Sequence, residues 1–141
     1  MYFSDQKSTE QPMGKFSNRA QIVYAATCWV FGGDDTLTGQ EQSKMKEAIN
    51  RSKTPWSLDE EDAHWVLSLW KGGNIQLDDV VDAVNYDFEF SLEDKYILYS
   101  CVCIPMHKLG QGDNYEDGWS RANELRDALG IASDDYNRWA N

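Results

Sequence analysis

Apolar residues recur at three- and four-residue intervals along most of this chain, and glycine follows most of these stretches. Such spacing places apolar side chains on one face of an α-helix, and glycine is common just after a helix ends. Only residues 101–104 resemble a strand, and their neighbours keep the helical phase. The pattern therefore predicts an all-α protein, a compact bundle of about six to seven helices.

Residues that cap helices stand where the apolar pattern begins. Thr38 with Glu41 has the spacing of a capping box, in which the hydroxyl accepts an N–H and the carboxylate reaches back. Ser57 with Glu60 predicts a second capping box, and Ser91 is expected to start the longest helix. These positions divide the chain into helices before any packing is considered.

The helical spacing also predicts which side chains face the core. In the first helix the expected buried face consists of Ile22, Ala25, Ala26, Trp29 and Val30. The later faces are expected to contain Met45, Ala48, Ile49, Ala63, Val66, Leu67, Trp70, Leu77, Val80, Val81, Val84, Ile97, Leu98, Cys101, Val102, Met106, Trp119, Ala122, Leu125, Ala128 and Leu129. Pro105 lies inside the fifth helix, where we expect a kink or an early end.

The chain length of 141 residues fits one domain. Residues 1–15 carry no lasting periodicity and are predicted to form a flexible N-terminal arm, which leaves residues 16–141 as a single helical domain. Six Trp, seven Tyr and five Phe supply enough bulk for a core. Trp29, Trp65, Trp70, Trp119 and Trp139 are expected mostly on inner faces, whereas Trp56 and Tyr136 are expected to be exposed.

The charge balance restricts the class of partner. Asp and Glu number 24 against 13 Lys and Arg, which gives a formal net charge of −11. A field of that sign repels phosphate backbones, so direct nucleic-acid binding is not expected. It favours cations and basic protein surfaces, although a simple solvated surface would have the same composition.

Cysteine usage and the N-terminus indicate a compartment. Cys28, Cys101 and Cys103 are an odd number and are expected as reduced, buried thiols. The sequence has neither the basic start and apolar run of a signal peptide nor a long apolar stretch that would span a bilayer. The expected location is the cytoplasm.

Two acidic turns occur in matching contexts. Residues 31–39 read FGGDDTLTG and residues 110–118 read GQGDNYEDG, each between a long apolar helix and an amphipathic helix. Asp34 aligns with Asp113. The apolar residues of the helices that follow the two turns align only when the register is shifted by one residue. The pattern predicts two related helix–acidic turn–helix units, packed against each other with a middle helical pair between them. Chance similarity of capped helix starts is the alternative.

At these residues the chain resembles TerB-like domains, the helical module of tellurite-resistance proteins that also occurs near the start of a membrane-linked J-domain co-chaperone. Residues 34–41, DDTLTGQE, are similar to that family's acidic turn and cap, with Asp35 where Gly is usual. Residues 124–131, ELRDALGI, resemble its closing helix, and the resemblance extends over about residues 16–139. In the second unit Trp119 or Ser120 replaces the counterpart of Glu41.

Carboxylates of the two turns are the candidate metal ligands, because Ca²⁺ and Mg²⁺ prefer oxygen ligands. Turn chemistry and helix capping explain the same residues without a metal. The family resemblance supports a divalent cation, Ca or Mg, as the cofactor. The candidates are Asp34, Asp35 and Glu41 in the first turn and Asp113, Glu116 and Asp117 in the second.

Residues 113–124 also match part of a calcium-binding EF-hand loop. Asp113, Asp117, Gly118 and Glu124 fit the first, fifth, sixth and twelfth positions, whereas Tyr115 fails the third. An EF-hand at this place is therefore a weaker hypothesis than a looser cation site.

Other chemistry has little support in the sequence. Cys103 and His107 lie four residues apart, but a zinc site would need further ligands from other helices. No Gly-rich phosphate loop and no Ser–His–Asp order is present, so the chain is not expected to be an enzyme.

Two functions remain from the sequence. The first is a non-enzymatic TerB-like binding or stress-response module that holds a divalent cation at its acidic turns. The resemblance implies a link to tellurite resistance or to a membrane-associated complex. The alternative is an acidic interaction protein, such as a nucleic-acid mimic, that occupies a basic surface of a protein partner.

Overall fold

All regular secondary structure in the described part of the chain is helical. The computed structural model describes the backbone of residues 15–32, 36–51, 53–108 and 115–131, and their side chains except those of 108 and 115–117. The helices are α1 Arg19–Phe31, α2 Gly39–Ile49, α3 Glu60–Lys71, α4 Leu77–Asp82, α5 Leu92–Lys108 and α6 Tyr115–Leu129. A π-helical turn, Ala83–Asp87, continues α4 directly. No strand occurs in these ranges, so the predicted all-α bundle is confirmed.

Helix α1 is the centre of the bundle. It packs against all five other α-helices, and every residue from Ala20 to Phe31 is buried. The single buried face predicted from the sequence was too narrow, because Val23, Tyr24 and Thr27 are each fully buried as well. A helix that is apolar nearly all round is typical of a buried core helix.

The two predicted units pack against each other around this central helix. Helix α2 lies against α5, and α6 contacts both α1 and α5. Helices α3 and α4 both pack on α1. The two helices of the expected middle pair, α3 and α4, therefore both contact the first unit at α1.

The predicted caps of α2 and α5 are confirmed. Thr38 Oγ1 accepts the backbone N–H of Glu41 (3.1 Å), and Glu41 Oε1 accepts the backbone N–H of Thr38 (2.8 Å). Ser91 Oγ accepts the backbone N–H of Asp94 (3.1 Å) at the start of α5. Each bond satisfies a donor that the first turn of a helix leaves unpaired.

The predicted Ser57 cap is wrong, because α3 begins two residues later. Asp59 caps α3, with Asp62 completing the capping box through its bond from the Asp59 backbone N–H. Leu58 is held in place by Asn50, whose side chain accepts the Leu58 N–H (2.7 Å) and donates to its carbonyl (3.1 Å). The side chain of Leu58 is also buried in the core. These contacts hold Leu58 outside the helix, so α3 begins only after it.

Glycines end two helices as expected. Gly73 and Gly130 have φ values of 75° and 78°, a conformation that other residues adopt only at a cost. The next residue in each case returns its N–H to the helix, to the carbonyls of Leu69 (2.9 Å) and Arg126 (3.1 Å). By contrast, a kink or an early end was expected at Pro105, and the early end is wrong because α5 continues through it to Lys108.

The aromatic side chains follow the prediction only in part. Trp29 is buried, but Trp65 is 47% exposed and does not belong to an inner face. Trp56 is half-buried, with its ring 5.7 Å from that of Phe90 between centroids. Tyr136 and Trp139 lie outside the described residues.

The three cysteines are free and buried, as the sequence predicted. The described helices also include none that combines the length and the apolar character needed to cross a bilayer.

Candidate functional site

The first acidic turn is described only at its helical end. Asp34 and Asp35 lie outside the described residues, so their role as ligands stays a prediction. Glu41 is described, and one of its carboxylate oxygens accepts the Thr38 N–H. Helix capping therefore accounts for Glu41 without a metal ion.

The second acidic turn does not have the form of an EF-hand. Asp113 lies outside the described residues, as do the side chains of Glu116 and Asp117. The backbone from Tyr115 onward is already in α6, whereas an EF-hand takes its ligands from an irregular loop over most of these positions. Gly118 is buried in that helix, and a Cβ added there would lie 2.9 Å from Met106 Cε.

The two units also differ in how their second helices begin. The residue that aligns with Gly39, the first residue of α2, is Gly118, which lies three residues inside α6. Ala48 is buried in α2, while its predicted counterpart Ala128 is exposed. The short acidic motif therefore does not mark equivalent helix starts.

Within the described ranges, no group of three His, Cys, Asp or Glu side chains is placed to hold a metal ion. Cys103 is buried, whereas His107 is exposed with its ring 5.1 Å from that of Trp119. Burial raises the pKa of the Cys28 thiol, the opposite of the low pKa that a reactive cysteine has. Burial raises the pKa of Cys101 to about 11, although the neighbouring Arg51 acts in the opposite direction.

A polar network joins the starts of α1 and α3. Asp62 Oδ1 accepts hydrogen bonds from Asn18 Nδ2 (3.1 Å) and Gln21 Nε2 (2.9 Å). Partial burial opposes ionisation of Asp62, but the bonds from Gln21, Asn18 and Asp59 outweigh it and lower the pKa of its carboxyl group. These hydrogen bonds hold the starts of α1 and α3 together, so the role of the network is structural.

Replacing Asp62 by asparagine should make stability depend less on pH. The lowered pKa means that ionised Asp62 stabilises the fold above the usual carboxyl pKa of about 3.9, and this contribution is lost as the pH falls through the folded value. We expect Asp62→Asn to cost about 1 kcal/mol at neutral pH, the usual net worth of a hydrogen bond. Urea unfolding at neutral pH and near pH 3 measures the difference. An equal loss at both pH values would contradict it, and Glu61→Gln in the same exposed turn is the control.

Two open grooves lie on the surface near this network. One, of about 450 Å³, is lined by Ser17, Asn18, Arg19, Ala20, Pro55, Trp56, Ser57 and Phe88. The other, of about 540 Å³, is lined by Gln21, Glu60, Glu61, Asp62, His64 and Trp65. The serines of the first groove and His64 of the second lie apart, so neither lining has a serine–histidine pair suited to nucleophilic catalysis.

An acidic surface lies along α4, the turn after it and the start of α5. From Gly72 to Asp94 the sequence has seven acidic residues and no Lys or Arg. Asp79 pairs with Lys15 (3.1 Å) and Asp94 with Arg19 (3.4 Å), while the other five are exposed and form no ion pair within the described part of the chain. We name this surface the α4–α5 edge, made of Asp78, Asp82, Tyr86, Asp87, Glu89, Leu92 and Glu93.

Two large apolar side chains are exposed on this edge. Tyr86 is 72% exposed and Leu92 is 54% exposed, more than any other large apolar residue described. The sequence interpretation missed both residues. The sequence does show the stretch without Lys or Arg in which both residues lie. Their exposure, however, depends on how α4 and α5 pack.

No family model, curated protein or solved structure matches this chain. The TerB-like resemblance therefore stays a prediction, and the function is argued from the residues and their geometry.

Proposed function

We propose that this chain is a non-enzymatic binding module that places its acidic surface against a basic surface of a protein partner. The observation that carries the proposal is the α4–α5 edge, where five exposed carboxylates form no ion pair within the described residues. A partner of opposite charge would gain attraction there and associate faster.

The repulsion within the edge supports an external partner. Asp78 and Asp82 are four residues apart in α4, and like charges at this spacing destabilise a helix by about 0.2–0.5 kcal/mol. Asp87 and Glu89 add further negative charge on the following turn. Basic side chains of a partner would relieve this repulsion, while salt would weaken the gain because exposed charges are screened.

The resemblance to TerB-like domains suggests a setting for the module. Such a domain would act in tellurite-related or membrane-associated stress systems through its partner. A divalent cation held by Asp34, Asp35, Glu41, Asp113, Glu116 and Asp117 is the competing proposal for the acidic turns.

A pair of titrations separates these functions. We expect a synthetic peptide rich in Lys and Arg to bind saturably at low salt, as followed by calorimetry, and to weaken steadily as salt is added. A peptide of the same length with Glu in place of the basic residues is the control and should not bind. Saturable Ca²⁺ binding together with no response to the basic peptide would overturn the proposal in favour of the cation site.

A further inference from the structure

We infer that the partner docks on the α4–α5 edge through a basic segment that carries apolar side chains among its Lys and Arg residues. This inference rests on the proposed function and specifies its surface and partner chemistry. It is based on two features of the edge together, the uncompensated charge and the exposed Tyr86 and Leu92.

One part of the edge is an unpartnered helix face. Asp78 and Asp82 are four residues apart in α4, which keeps their side chains on the same side of the helix, and the exposed Tyr86 lies in the π-helical turn that continues it. The opposite side faces the core, where Val80 and Val84 are fully buried. The π-helical turn adds one residue per turn, and both Tyr86 and Asp87 are exposed there.

The turn that follows is held firmly. Glu89 has a φ of 48°, and the chain on both sides of it bonds back to the helix, Phe88 N–H to the Ala83 carbonyl (2.9 Å) and Phe90 N–H to that of Val84 (2.8 Å). The side chain of Phe90 is buried against Trp56. A surface that is already ordered loses little entropy when a partner binds.

Arg19 supports this turn from α1. Its Nη2 donates to the Phe88 carbonyl (2.5 Å), and its guanidinium lies 5.0 Å from the centre of the Phe90 ring. The same side chain pairs with Asp94, so the charge of Arg19 is already balanced by a carboxylate within the chain. The outer carboxylates of Asp87 and Glu89 form no ion pair within the described residues.

The apolar residues make a purely electrostatic partner a poor fit. Tyrosine is enriched among the residues that dominate protein interfaces, where its ring is buried and charged groups form the rim. Tyr86 and Leu92 flank the same turn of the chain, and the exposed Asp87, Glu89 and Glu93 are their near neighbours in sequence. A segment that presents apolar side chains between basic ones would cover the two apolar side chains and neutralise the carboxylates.

The other acidic region, at the start of α3, is less available. Asp59 and Asp62 form the capping box of α3, and Glu60 pairs with Lys46 (3.5 Å). The exposed Trp65 donates its indole N–H to the Lys15 carbonyl (2.8 Å). Several polar groups of that region thus have partners within the chain, which favours the α4–α5 edge as the docking surface.

The test uses two peptides of equal length and equal positive charge. One has Leu and Trp spaced among its Lys and Arg residues, and the other has Ser and Gln in their place. We expect the apolar peptide to bind the chain about tenfold more tightly, as 1.4 kcal/mol of apolar contact would give. The double variant Tyr86→Ser and Leu92→Ser should lose this preference while still binding both peptides.

Charge variants locate the surface. Asp82→Asn with Asp87→Asn should weaken both peptides by about tenfold, a coupling of 1.4 kcal/mol. Glu61→Gln with Glu124→Gln makes the same change in net charge at exposed positions on α3 and α6 and should change binding little. All replaced side chains are exposed, so circular dichroism should confirm an unchanged fold.

The outcomes separate the two proposals. If neither peptide binds the unsubstituted chain, the proposed function fails and this inference fails with it. If basic peptides bind but the edge variants behave like the Glu61 and Glu124 control, the proposed function stands and the assignment to this edge is wrong. If the two peptides bind equally well, the apolar part of the inference is wrong.

Discussion

Replacing Val23 by aspartate should remove most or all of the stability of this protein. Val23 is fully buried in α1, the helix that contacts all five others. A carboxyl group there has no partner, and burying such a group ranks among the most destabilising single changes, beyond about 4 kcal/mol. Since small domains are stable by only about 5–15 kcal/mol, we expect the variant to be unfolded or nearly so by circular dichroism and urea titration.

Two companion variants make this result interpretable. Val23→Ala removes only two carbon atoms and should cost about 2 kcal/mol, the transfer value plus a small cavity. Ser43→Asp places the same carboxylate on an exposed position of α2 and should change stability little. If Val23→Asp were as stable as Ser43→Asp, α1 would be amphipathic, as the sequence first predicted, and its burial on all sides would be wrong.

Replacing Gly32 by alanine should destabilise the fold by about 1–3 kcal/mol, the usual cost of overpacking. Gly32 ends α1, and the edge of the Trp70 indole lies where a side chain would start. An added Cβ would be 2.5 Å from Trp70 Nε1 and 2.6 Å from Cζ2, so the ring or the helix end must move. The backbone of Gly32, with φ −88° and ψ 25°, is accessible to alanine, so the loss would come from this contact.

Gly39→Ala is the matched control for this prediction. Gly39 is the first residue of α2, is exposed, and has no atom within 4 Å of an added Cβ. Alanine should therefore leave stability unchanged or raise it by up to about 1 kcal/mol through helix propensity. Thermal or urea unfolding of both variants checks the pair, and equal effects of the two would show that the Trp70 contact does not restrict position 32.

The local signals predicted helix starts well where no distant residue intervened. The Thr38 cap and the Ser91 start depend on residues within three positions, and both are confirmed. The Ser57 cap failed because Asn50 fixes the backbone of Leu58 from eight residues away. A capping pattern concerns residues three positions apart, so it gives no information about a hydrogen bond from a residue as distant as Asn50.

The candidate docking surface was only partly visible in the sequence. The run from Gly72 to Asp94 without Lys or Arg is plain in the sequence, and net charge already pointed to a basic partner. Which carboxylates are neutralised depends on Lys15 and Arg19, which approach Asp79 and Asp94 from distant positions. The exposure of Tyr86 likewise depends on α4 packing its other face on α1.

The sequence by itself determined the helical class, the acidic character and several helix ends, because these follow from periodicity, composition and bonds between near neighbours. Only the tertiary structure decided that α1 is buried on every side, since all five neighbouring helices cover it. It also decided which carboxylates between Gly72 and Asp94 form ion pairs within the described residues, because Lys15 pairs with Asp79 and Arg19 with Asp94. Burial and charge pairing are relations between distant parts of the chain, and a local pattern does not contain them.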